Sequence, residues 1–310
     1  MSPRRSAFID VGTNAVLCLI ADLRDTGRFR VLDDLAEIAG LGRGVDRSGV
    51  ISAAGEQRCL ETLERYRAHC QNLGVDEIIA VGTSALRDAR NSAEVRTRLR
   101  QRLGFEIRVI SGDEEAAYSF LAVERGLSLT GELLVIDIGG GSTEFIRGSG
   151  AGFSEALSID VGSVRLTERF LHADPVRAEE IAAMNQAIEQ ELKPLLERFQ
   201  NSASPLTLVG IAGTFTTLAA VEKKMERYVH AEVHGSSLSL AEVRRQIDLF
   251  SGCSLEERRR IVGLEAKRAD VILAGACLIE RILNLFRADS VVVSDQGVRY
   301  GLLHERAQRL

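Results

Sequence analysis

The segment VIDIGGGSTEF, residues 135–145, places three consecutive glycines between one aspartate and a Ser-Thr-Glu triplet. Apolar residues at 133–136 indicate a strand before the glycines, and Phe145 and Ile146 indicate a second strand after them. The glycines therefore lie in a turn between two strands. Glycine costs conformational order in such a place, and it usually marks a close approach of the backbone to another backbone or to a ligand. This turn is the first candidate for a binding site.

The same pattern occurs again near the N-terminus. FIDVGTNAVLCLI, residues 8–20, also predicts a strand, an Asp-x-Gly turn and a second strand. Asp10 and Asp137 occupy the same place in the two copies. A repeat separated by so much sequence is typical of one domain copied, and not of a solenoid unit. We therefore expect two similar halves with a cleft between them.

Strands alternate with helices around and between these copies, which predicts an α/β fold class. The alternation is seen as apolar runs of strand length followed by segments with helical spacing of apolar residues. The predicted helices span 55–73, 93–103, 175–200, 238–249 and 269–285, and further strands span 77–81, 106–110, 206–211 and 290–293.

The composition is that of an ordinary soluble globular protein, with 310 residues, 45% hydrophobic and 27% charged. The net charge of −5 argues against non-specific nucleic-acid binding. No apolar run approaches the roughly 18 residues of a membrane span, and the start MSPRRSAFID has no apolar signal core. The five cysteines are scattered without a C-x-x-C pair, which favours reduced thiols in the cytosol. We expect a cytoplasmic protein with no nucleic-acid and no membrane partner.

A tight turn of small residues directs several backbone N–H groups into one concavity, which suits an anion such as phosphate. The hydroxyls of Thr13, Ser142 and Thr143 would add donors at its rim. A carboxylate beside an anion makes sense when a divalent cation lies between the two. Asp137 and Glu144 flank the second turn in this way. The alternative is that the aspartates only cap hairpins, a common role for Asp in turns, although two matching hairpins argue against it.

Two other kinds of site are disfavoured by the sequence. No G-x-x-x-x-G-K-[ST] string occurs, so a P-loop does not hold the phosphate. HAEVH, residues 230–234, has two histidines at helical spacing but lacks a glutamate directly after the first, so we interpret it as structural and not as a zinc site.

Seven ordered motifs spread over nearly the whole chain carry a resemblance to a known family. Together they resemble the exopolyphosphatase/guanosine pentaphosphate phosphohydrolase (Ppx/GppA) family, in its short two-domain form. The motifs are FIDVGTNAV, VGTSALRDARN, ISGDEEAA, VIDIGGGSTEF, SIDVGSVRLTERF, GIAGTFTTLAA and SDQGVRYGLL.

The resemblance implies two ribonuclease-H-like domains of the actin, Hsp70 and sugar-kinase superfamily with an interdomain cleft. The first would span 1–126, with the segment 297–310 packing back on it, and the second 127–296. The family's activity implies hydrolytic release of terminal phosphate from inorganic polyphosphate, or conversion of pppGpp to ppGpp, with Mg²⁺ or Mn²⁺ as cofactor. A homodimer is common in the family, and we expect one here.

The resemblance also assigns roles to individual positions. Glu115 falls on the glutamate that the family uses as catalytic base, and Arg87 on a phosphate-contacting arginine. Asp137 and Glu144 fall on the acidic metal positions. The positions assigned to phosphate binding are Asp10, Gly12, Thr13, Asn14, Arg87, Gly139, Gly140, Gly141 and Ser142.

Residues 111–114, Ser-Gly-Asp-Glu, form a capping-box pattern at a helix start, which gives Glu114 a structural role. Glu115 lies one residue on, about 100° around the helix, and can face elsewhere. Considered alone, it could equally be an acid placed favourably in a first helical turn. Long family members have an additional helical region after the core, whereas this chain stops at Leu310. We therefore expect a preference for shorter polyphosphate chains.

Three alternatives remain open at this level. The same site could act on pppGpp instead of polyphosphate. The same fold could belong to an ATP-using kinase or ATPase, with GIAGTFTTL at 210–218 as an adenosine-side turn. A non-catalytic sensor of polyphosphate or pppGpp is disfavoured, because a pure binder has no use for a water-activating acid beside a metal.

Overall fold

A computed structural model of the chain describes residues 4–24, 27–199 and 206–309. Its contacts divide the chain into two compact units, one formed by Met1–Arg125 with Gly297–Leu310 and the other by Gly126–Gln296. Residues 1–3 and 310, included in the expected first domain, and Gln200, the expected end of one helix, lie outside the described residues.

The strands are short and mostly apolar, and they alternate with helices in chain order. The strands are β1 Arg4–Val11, β2 Ala15–Leu23, β3 Phe29–Ile38, β4 Glu77–Gly82, β5 Ile107–Val109, β6 Glu132–Ile138, β7 Thr143–Ser149, β8 Gly152–Ile159, β9 Leu206–Ile211, β10 Ser237–Ser239 and β11 Ser290–Val293.

The helices range from single turns to long amphipathic segments. They are α1 Val45–Ser48, α2 Ala53–Asn72, α3 Ser84–Asp88, α4 Ser92–Leu103, α5 Gly112–Gly126, α6 Ser163–Phe170, α7 Ala178–Phe199, α8 Ala212–Glu222, α9 His230–Val233, α10 Leu240–Ser251, α11 Leu255–Arg258, α12 Ile272–Phe286 and α13 Val298–Gln308, with a short 3-10 helix at Ala266–Arg268.

The first unit is built on a five-stranded mixed sheet in the order β3-β2-β1-β4-β5. The first three strands form an antiparallel meander; β4 pairs with β1, and β5 pairs with β4, both in parallel. Apolar side chains cover both faces of this sheet, with α2 and α4 in one layer and α13 in the other. Strands buried on both faces have continuous apolar runs, which explains why β1 is so readily recognised in the sequence.

The second unit repeats this order in a six-stranded mixed sheet, β10-β11-β9-β6-β7-β8. Here β6, β7 and β8 form the antiparallel meander, and β9 adds to β6 in parallel. The predicted α/β fold class is confirmed. The equivalent strand order in the two units agrees with the internal repeat read from the two Asp-x-Gly segments.

The sequence predictions missed β3 and β8. Both carry charged residues, as in FRVLDDLAEI of β3, because each lies on the edge of its meander with one side in solvent. Three predicted helices also start later than expected, among them the one predicted from residue 269, which starts at Ile272. Of the other two, one starts at Ala178, and the other at Leu240 after Ser239, whose hydroxyl caps the helix by accepting from the Glu242 N–H at 3.1 Å.

No helix in the described part of the chain is both long and apolar enough to cross a membrane.

Candidate active site

The two Asp-x-Gly turns are closed by the same hydrogen bond. The Gly12 N–H donates to the Ala15 carbonyl at 3.0 Å, and the Gly139 N–H donates to the Ser142 carbonyl at 3.0 Å. A Cβ atom on Gly12 would lie 3.0 Å from the Ala15 oxygen, and one on Gly139 would lie 3.2 Å from the Ser142 oxygen. Both turns are therefore tight enough to favour glycine at the same place.

The turn in the second unit is oriented by the start of α6. The N–H groups of Ser163 and Val164 donate to the carbonyls of Gly139 and Gly140 at 3.0 and 2.9 Å. In a planar trans peptide the N–H points opposite to the C=O, so the N–H groups of Gly140 and Gly141 point away from α6. Neither of these two donates to a backbone carbonyl within the described residues. Two neighbouring N–H groups aimed in one direction suit an anion.

Gly162 keeps the second turn in contact with α6. A Cβ atom at position 162 would lie 2.5 Å from the Gly140 carbonyl carbon and oxygen and 2.6 Å from the Gly141 nitrogen. Because these are backbone atoms, they can move only if the turn itself moves. We predict that Gly162→Ala displaces the turn and lowers the turnover of the phosphate-releasing activity that the resemblance implies by about tenfold or more.

The control for this prediction is Gly150→Ala in the turn between β7 and β8, where an added Cβ atom meets nothing within 4 Å. Turnover is measured beside the far-UV circular dichroism of each variant. A Gly162→Ala variant with wild-type turnover would show that the position of this turn does not control the activity.

The turn in the first unit is held by residues 39–42. The Gly42 N–H donates to the Thr13 carbonyl at 2.8 Å, and the Gly40 N–H donates to the Asn14 carbonyl at 2.8 Å. By the same peptide geometry, the Asn14 N–H points away from this segment. Gly42 packs directly on Thr13, since an added Cβ atom would lie 2.4 Å from its Cγ2. The first turn thus has its own support, which the sequence reading did not identify.

Thr143 does not have the place predicted for it. Its side chain is fully buried, and its hydroxyl donates to the Val161 carbonyl at 2.5 Å. The expectation that it adds a donor at the rim of the turn is wrong. As the first residue of β7, Thr143 faces inward and ties that strand to the segment before α6, whereas Ser142 belongs to the turn itself.

Asp137 on β6 and Glu144 on β7 are directly opposite each other in the antiparallel pair, and Ser158 on β8 is opposite Glu144. Side chains opposite each other lie on one face of a sheet with Cβ atoms about 5 Å apart. Glu144 is buried, and the Ser158 hydroxyl donates to its Oε1 at 2.9 Å. Ser158 was missed as a site residue, although it begins the SIDVGSVR motif.

This donor set fits a divalent cation of the magnesium type. Across the described ranges, no group of three or more His, Cys, Asp or Glu side chains is placed to hold a metal. Two carboxylates on one sheet face would therefore supply only part of a coordination shell. Mg²⁺ binds in this way, through one or two carboxylates plus substrate phosphates and water.

Glu115 and Arg87 form an ion pair in the first unit. Glu115 lies in the first turn of α5 and is buried, and Arg87 Nη1 donates to its Oε2 at 2.9 Å and to the Ile110 carbonyl at 3.2 Å. Burial raises the pKa of Glu115, and the Arg87 hydrogen bond opposes that rise. A carboxylate with a raised pKa is better matched to proton abstraction near neutral pH.

The capping box predicted at the start of α5 is confirmed. The Glu114 N–H donates to the Ser111 hydroxyl at 3.1 Å, and the Ser111 N–H donates to Glu114 Oε2 at 2.9 Å. The bond from the Ser111 N–H to the carboxylate, together with the Arg108 guanidinium, lowers the pKa of Glu114. Two adjacent glutamates thus have opposite pKa shifts, because one caps the helix and the other is buried.

Asp10 is the last residue but one of β1, just before the first turn, and burial together with the nearby Glu115 raises its pKa to about 7. Its Oδ1 atom is buried and has no hydrogen-bond partner among the described residues. A buried carboxylate oxygen without a partner is costly and is expected to face a cation or a donor in the functional state. Asp10 therefore has the character of a site residue as well as that of a turn residue.

The two histidines of HAEVH bind one buried aspartate. His230 Nδ1 lies 2.6 Å from Asp295 Oδ2, and His234 Nδ1 lies 3.2 Å from Asp295 Oδ1. Burial would raise the pKa of Asp295, but the hydrogen bonds from His230 and His234 outweigh burial and lower it to about 2. The hydrogen bond to Asp295 raises the pKa of His234.

This cluster predicts a pH-dependent contribution to stability. Charged Asp295 stabilises the fold above about pH 4, and this stabilisation is lost as the pH falls toward 2. Charged His234 stabilises the fold below about pH 6.5, and this stabilisation is lost as the pH rises through the raised pKa of His234. Asp295→Asn should lower the free energy of unfolding by about 2 kcal/mol near pH 5.5 and by less near pH 9. Urea denaturation at about pH 5.5 and about pH 9 measures the free energy of unfolding, and Asp248→Asn, at an exposed position, is the control. An equal loss of stability in Asp295→Asn at the two pH values would contradict the prediction.

A sequence model of the Ppx/GppA phosphatase family matches residues 19–310 of this chain. Exopolyphosphatase 2 of Mycobacterium tuberculosis is 31% identical over 315 residues, covering 97% of this chain and 98% of that protein. The guanosine-5'-triphosphate,3'-diphosphate pyrophosphatase of Vibrio vulnificus is 30% identical, covering 98% of this chain and 59% of that protein.

The chain also resembles part of a longer protein and a solved structure. It is 33% identical to the bifunctional 3-dehydroquinate synthase/phosphatase of Fusobacterium nucleatum, covering 96% of this chain but 46% of that protein. The crystal structure of an exopolyphosphatase from Cytophaga hutchinsonii superimposes with a TM-score of 0.90 at 30% identity, covering 99% of each chain.

Proposed function

Since the chain belongs to the Ppx/GppA phosphatase family, we propose that it is an exopolyphosphatase, a metal-dependent hydrolase that releases terminal orthophosphate from inorganic polyphosphate. The observation that carries this proposal is the pair of matching Asp-x-Gly turns, each closed by a Gly N–H bond of 3.0 Å. The acid pair Asp137 and Glu144 and the buried Glu115 supply the remaining chemistry.

In the proposed reaction the turns bind phosphate oxygens. The N–H groups of Gly140, Gly141 and Asn14 are fixed by the hydrogen bonds of their neighbours, so they need no rearrangement when an anion arrives. The remaining positions proposed for phosphate binding are Asp10, Gly12, Thr13, Arg87, Gly139 and Ser142. Positioning and electrostatics are the main contributions that a protein makes to phosphoryl transfer.

Asp137 and Glu144 would hold the divalent metal, Mg²⁺ or Mn²⁺, with Ser158 orienting Glu144. When bound, such an ion neutralises charge on the phosphoryl oxygens. Glu115 orients and deprotonates the attacking water, and Arg87 keeps the Glu115 carboxylate oriented through Nη1. As the pH falls toward the raised pKa of Glu115, the base becomes protonated and the reaction slows.

Polyphosphate and pppGpp offer the same terminal anhydride, so the alternative substrate is pppGpp with the same site residues. The match over nearly the full length of an exopolyphosphatase supports polyphosphate as the substrate. The pppGpp alternative is supported by the similarity to the Vibrio vulnificus enzyme, of which this chain spans 59%.

Phosphate release from short polyphosphate, long polyphosphate, pppGpp and ATP, measured side by side with Mg²⁺, tests the proposal. We expect the highest kcat/KM on short polyphosphate. A higher value on pppGpp would favour the alternative substrate. Fast ATP hydrolysis with inert polyphosphate would show instead an ATP-using enzyme of the same superfamily.

We also propose that the two contact-defined units are ribonuclease-H-like domains with the boundaries given by the sequence, 1–126 with 297–310 and 127–296, and that the enzyme is a cytoplasmic homodimer. Sedimentation of the purified chain tests the oligomeric state. A monomer at working concentration would contradict the homodimer.

A further inference from the structure

A buried ion pair joins β3 to the C-terminal helix α13. Arg299 donates from Nε to Asp34 Oδ1 at 2.8 Å and from Nη2 to Asp34 Oδ2 at 3.0 Å. The hydroxyl of Tyr300 donates to the same Oδ2 at 3.0 Å. The two charged side chains are only 9% and 7% exposed. The first turn of α13 thus supplies three donors to one carboxylate inside the first unit.

The strand register places this ion pair on the same sheet face as Asp10. Asp10 is opposite Leu17, and Asp34 is opposite Leu19. Leu17 and Leu19 are two residues apart on one strand and therefore point to the same face, as do the residues opposite them. Helix α13 covers this face, where Val298, Tyr300, Leu302 and Leu303 share one apolar core with Phe8 and Leu19.

Two charged groups act on Asp10 from the helices that pack on this face. Burial and Glu115 of α5 both raise the pKa of Asp10, and Arg299 of α13 lowers it. The two helices are in direct contact, because a Cβ atom on Gly301 would lie 2.2 Å from the Tyr118 carbonyl oxygen. Arg299 is therefore the group that favours the charged form of Asp10 in an otherwise unfavourable setting.

Stability does not by itself require a charged pair here. A buried ion pair replaced by apolar side chains of similar volume is often as stable as the original, or more so. Asp34 and Arg299 lie beside the apolar residues of this face, where such a replacement would fit. We explain the guanidinium at this place by its effect on the neighbouring Asp10.

We propose that Arg299, held in place by Asp34, is a positioning residue that favours the charged form of the Asp10 carboxylate at the entry to the first phosphate-binding turn. This inference rests on the proposed phosphatase function. It gives helix α13 a role in the phosphate site proposed for the first unit. The buried Oδ1 of Asp10 has no partner among the described residues and is expected to face a cation or a donor. The negative charge that a cation requires is the property that Arg299 supports.

The test compares Arg299→Met, the double variant Asp34→Leu/Arg299→Met, and the control Arg306→Met. Arg306 lies on the same helix and pairs with Glu77 at 3.1 Å, so its removal also deletes an ion pair from α13. The pH dependence of kcat/KM on short polyphosphate and the urea unfolding free energy are measured for each variant. The double variant replaces both charged side chains by apolar ones, so that no charge is left buried without its partner. A loss of folding in the single variant therefore does not decide the outcome.

We expect the acid limb of the pH profile to move to higher pH by about one unit in both Arg299 variants, although the double variant regains stability. Arg306→Met should leave the limb in place. A double variant with both wild-type stability and a wild-type profile would overturn the proposal and give Arg299 a structural role only.

A second readout does not depend on activity. The carboxyl carbon of Asp10, followed by NMR against pH, should titrate about one unit higher in the double variant than in the wild type. An unshifted titration would overturn the positioning role. A wild-type protein that releases no phosphate from any substrate would instead overturn the proposed function, so the two failures are distinguishable.

Discussion

Glu115→Gln is expected to lower turnover on polyphosphate by about 10² or more while leaving substrate binding nearly intact. The substitution keeps the size of the side chain and an oxygen that can accept the Arg87 Nη1 bond of 2.9 Å. It removes the capacity to take a proton from water. The loss should therefore appear in kcat and not in the affinity for polyphosphate.

Glu114→Gln is the matched control, since it is the neighbouring acid in the same helical turn. Its carboxylate is occupied by the cap with Ser111, so its replacement should affect stability slightly and turnover little. Single-turnover phosphate release and equilibrium binding of polyphosphate separate the two effects. Unchanged turnover in Glu115→Gln would remove Glu115 from the role of base.

The acid pair of the second unit should control the metal requirement. Asp137→Asn and Glu144→Gln are each expected to raise the Mg²⁺ concentration for half-maximal activity by about tenfold or more, and to lower turnover at saturating Mg²⁺ by about 10². Each variant keeps its volume and its place opposite the other acid. What changes is the charge available to a hard cation.

Glu132→Gln is the control. It removes one carboxylate from β6, the strand that carries Asp137, at the end far from the turn. Metal binding measured without substrate, by the paramagnetic signal of free Mn²⁺, gives a readout apart from turnover. If Mn²⁺ binds the two acid variants as tightly as it binds the wild type, Asp137 and Glu144 are not its ligands.

The contacts at the start of α5 could be predicted from the sequence only in part. The capping box at residues 111–114 is local, and it was predicted and then found. Glu115 is buried against Arg87 because α3 and α5 are in contact. No pattern in the residues between these two helices predicts that contact. The choice between a helix-dipole acid and a site residue could not be made from the helix alone.

The same division holds for the two Asp-x-Gly turns. The glycine spacing predicted two matching turns, but not the first turn of α6 that orients one or residues 39–42 that hold the other. Thr143 illustrates the opposite error. Its type suited a rim donor, yet the strand directs it inward to the Val161 carbonyl.

The sequence by itself determined the α/β class, the internal repeat, the family and the two carboxylate-flanked glycine turns, because these depend on local periodicity and on residues close together in the chain. Only the tertiary structure decided the partners of the charged groups, among them Ser158 for Glu144 and Arg299 for Asp34. Such contacts join residues from different strands and helices. Their burial and charge follow from how the elements pack, which no short stretch of sequence encodes.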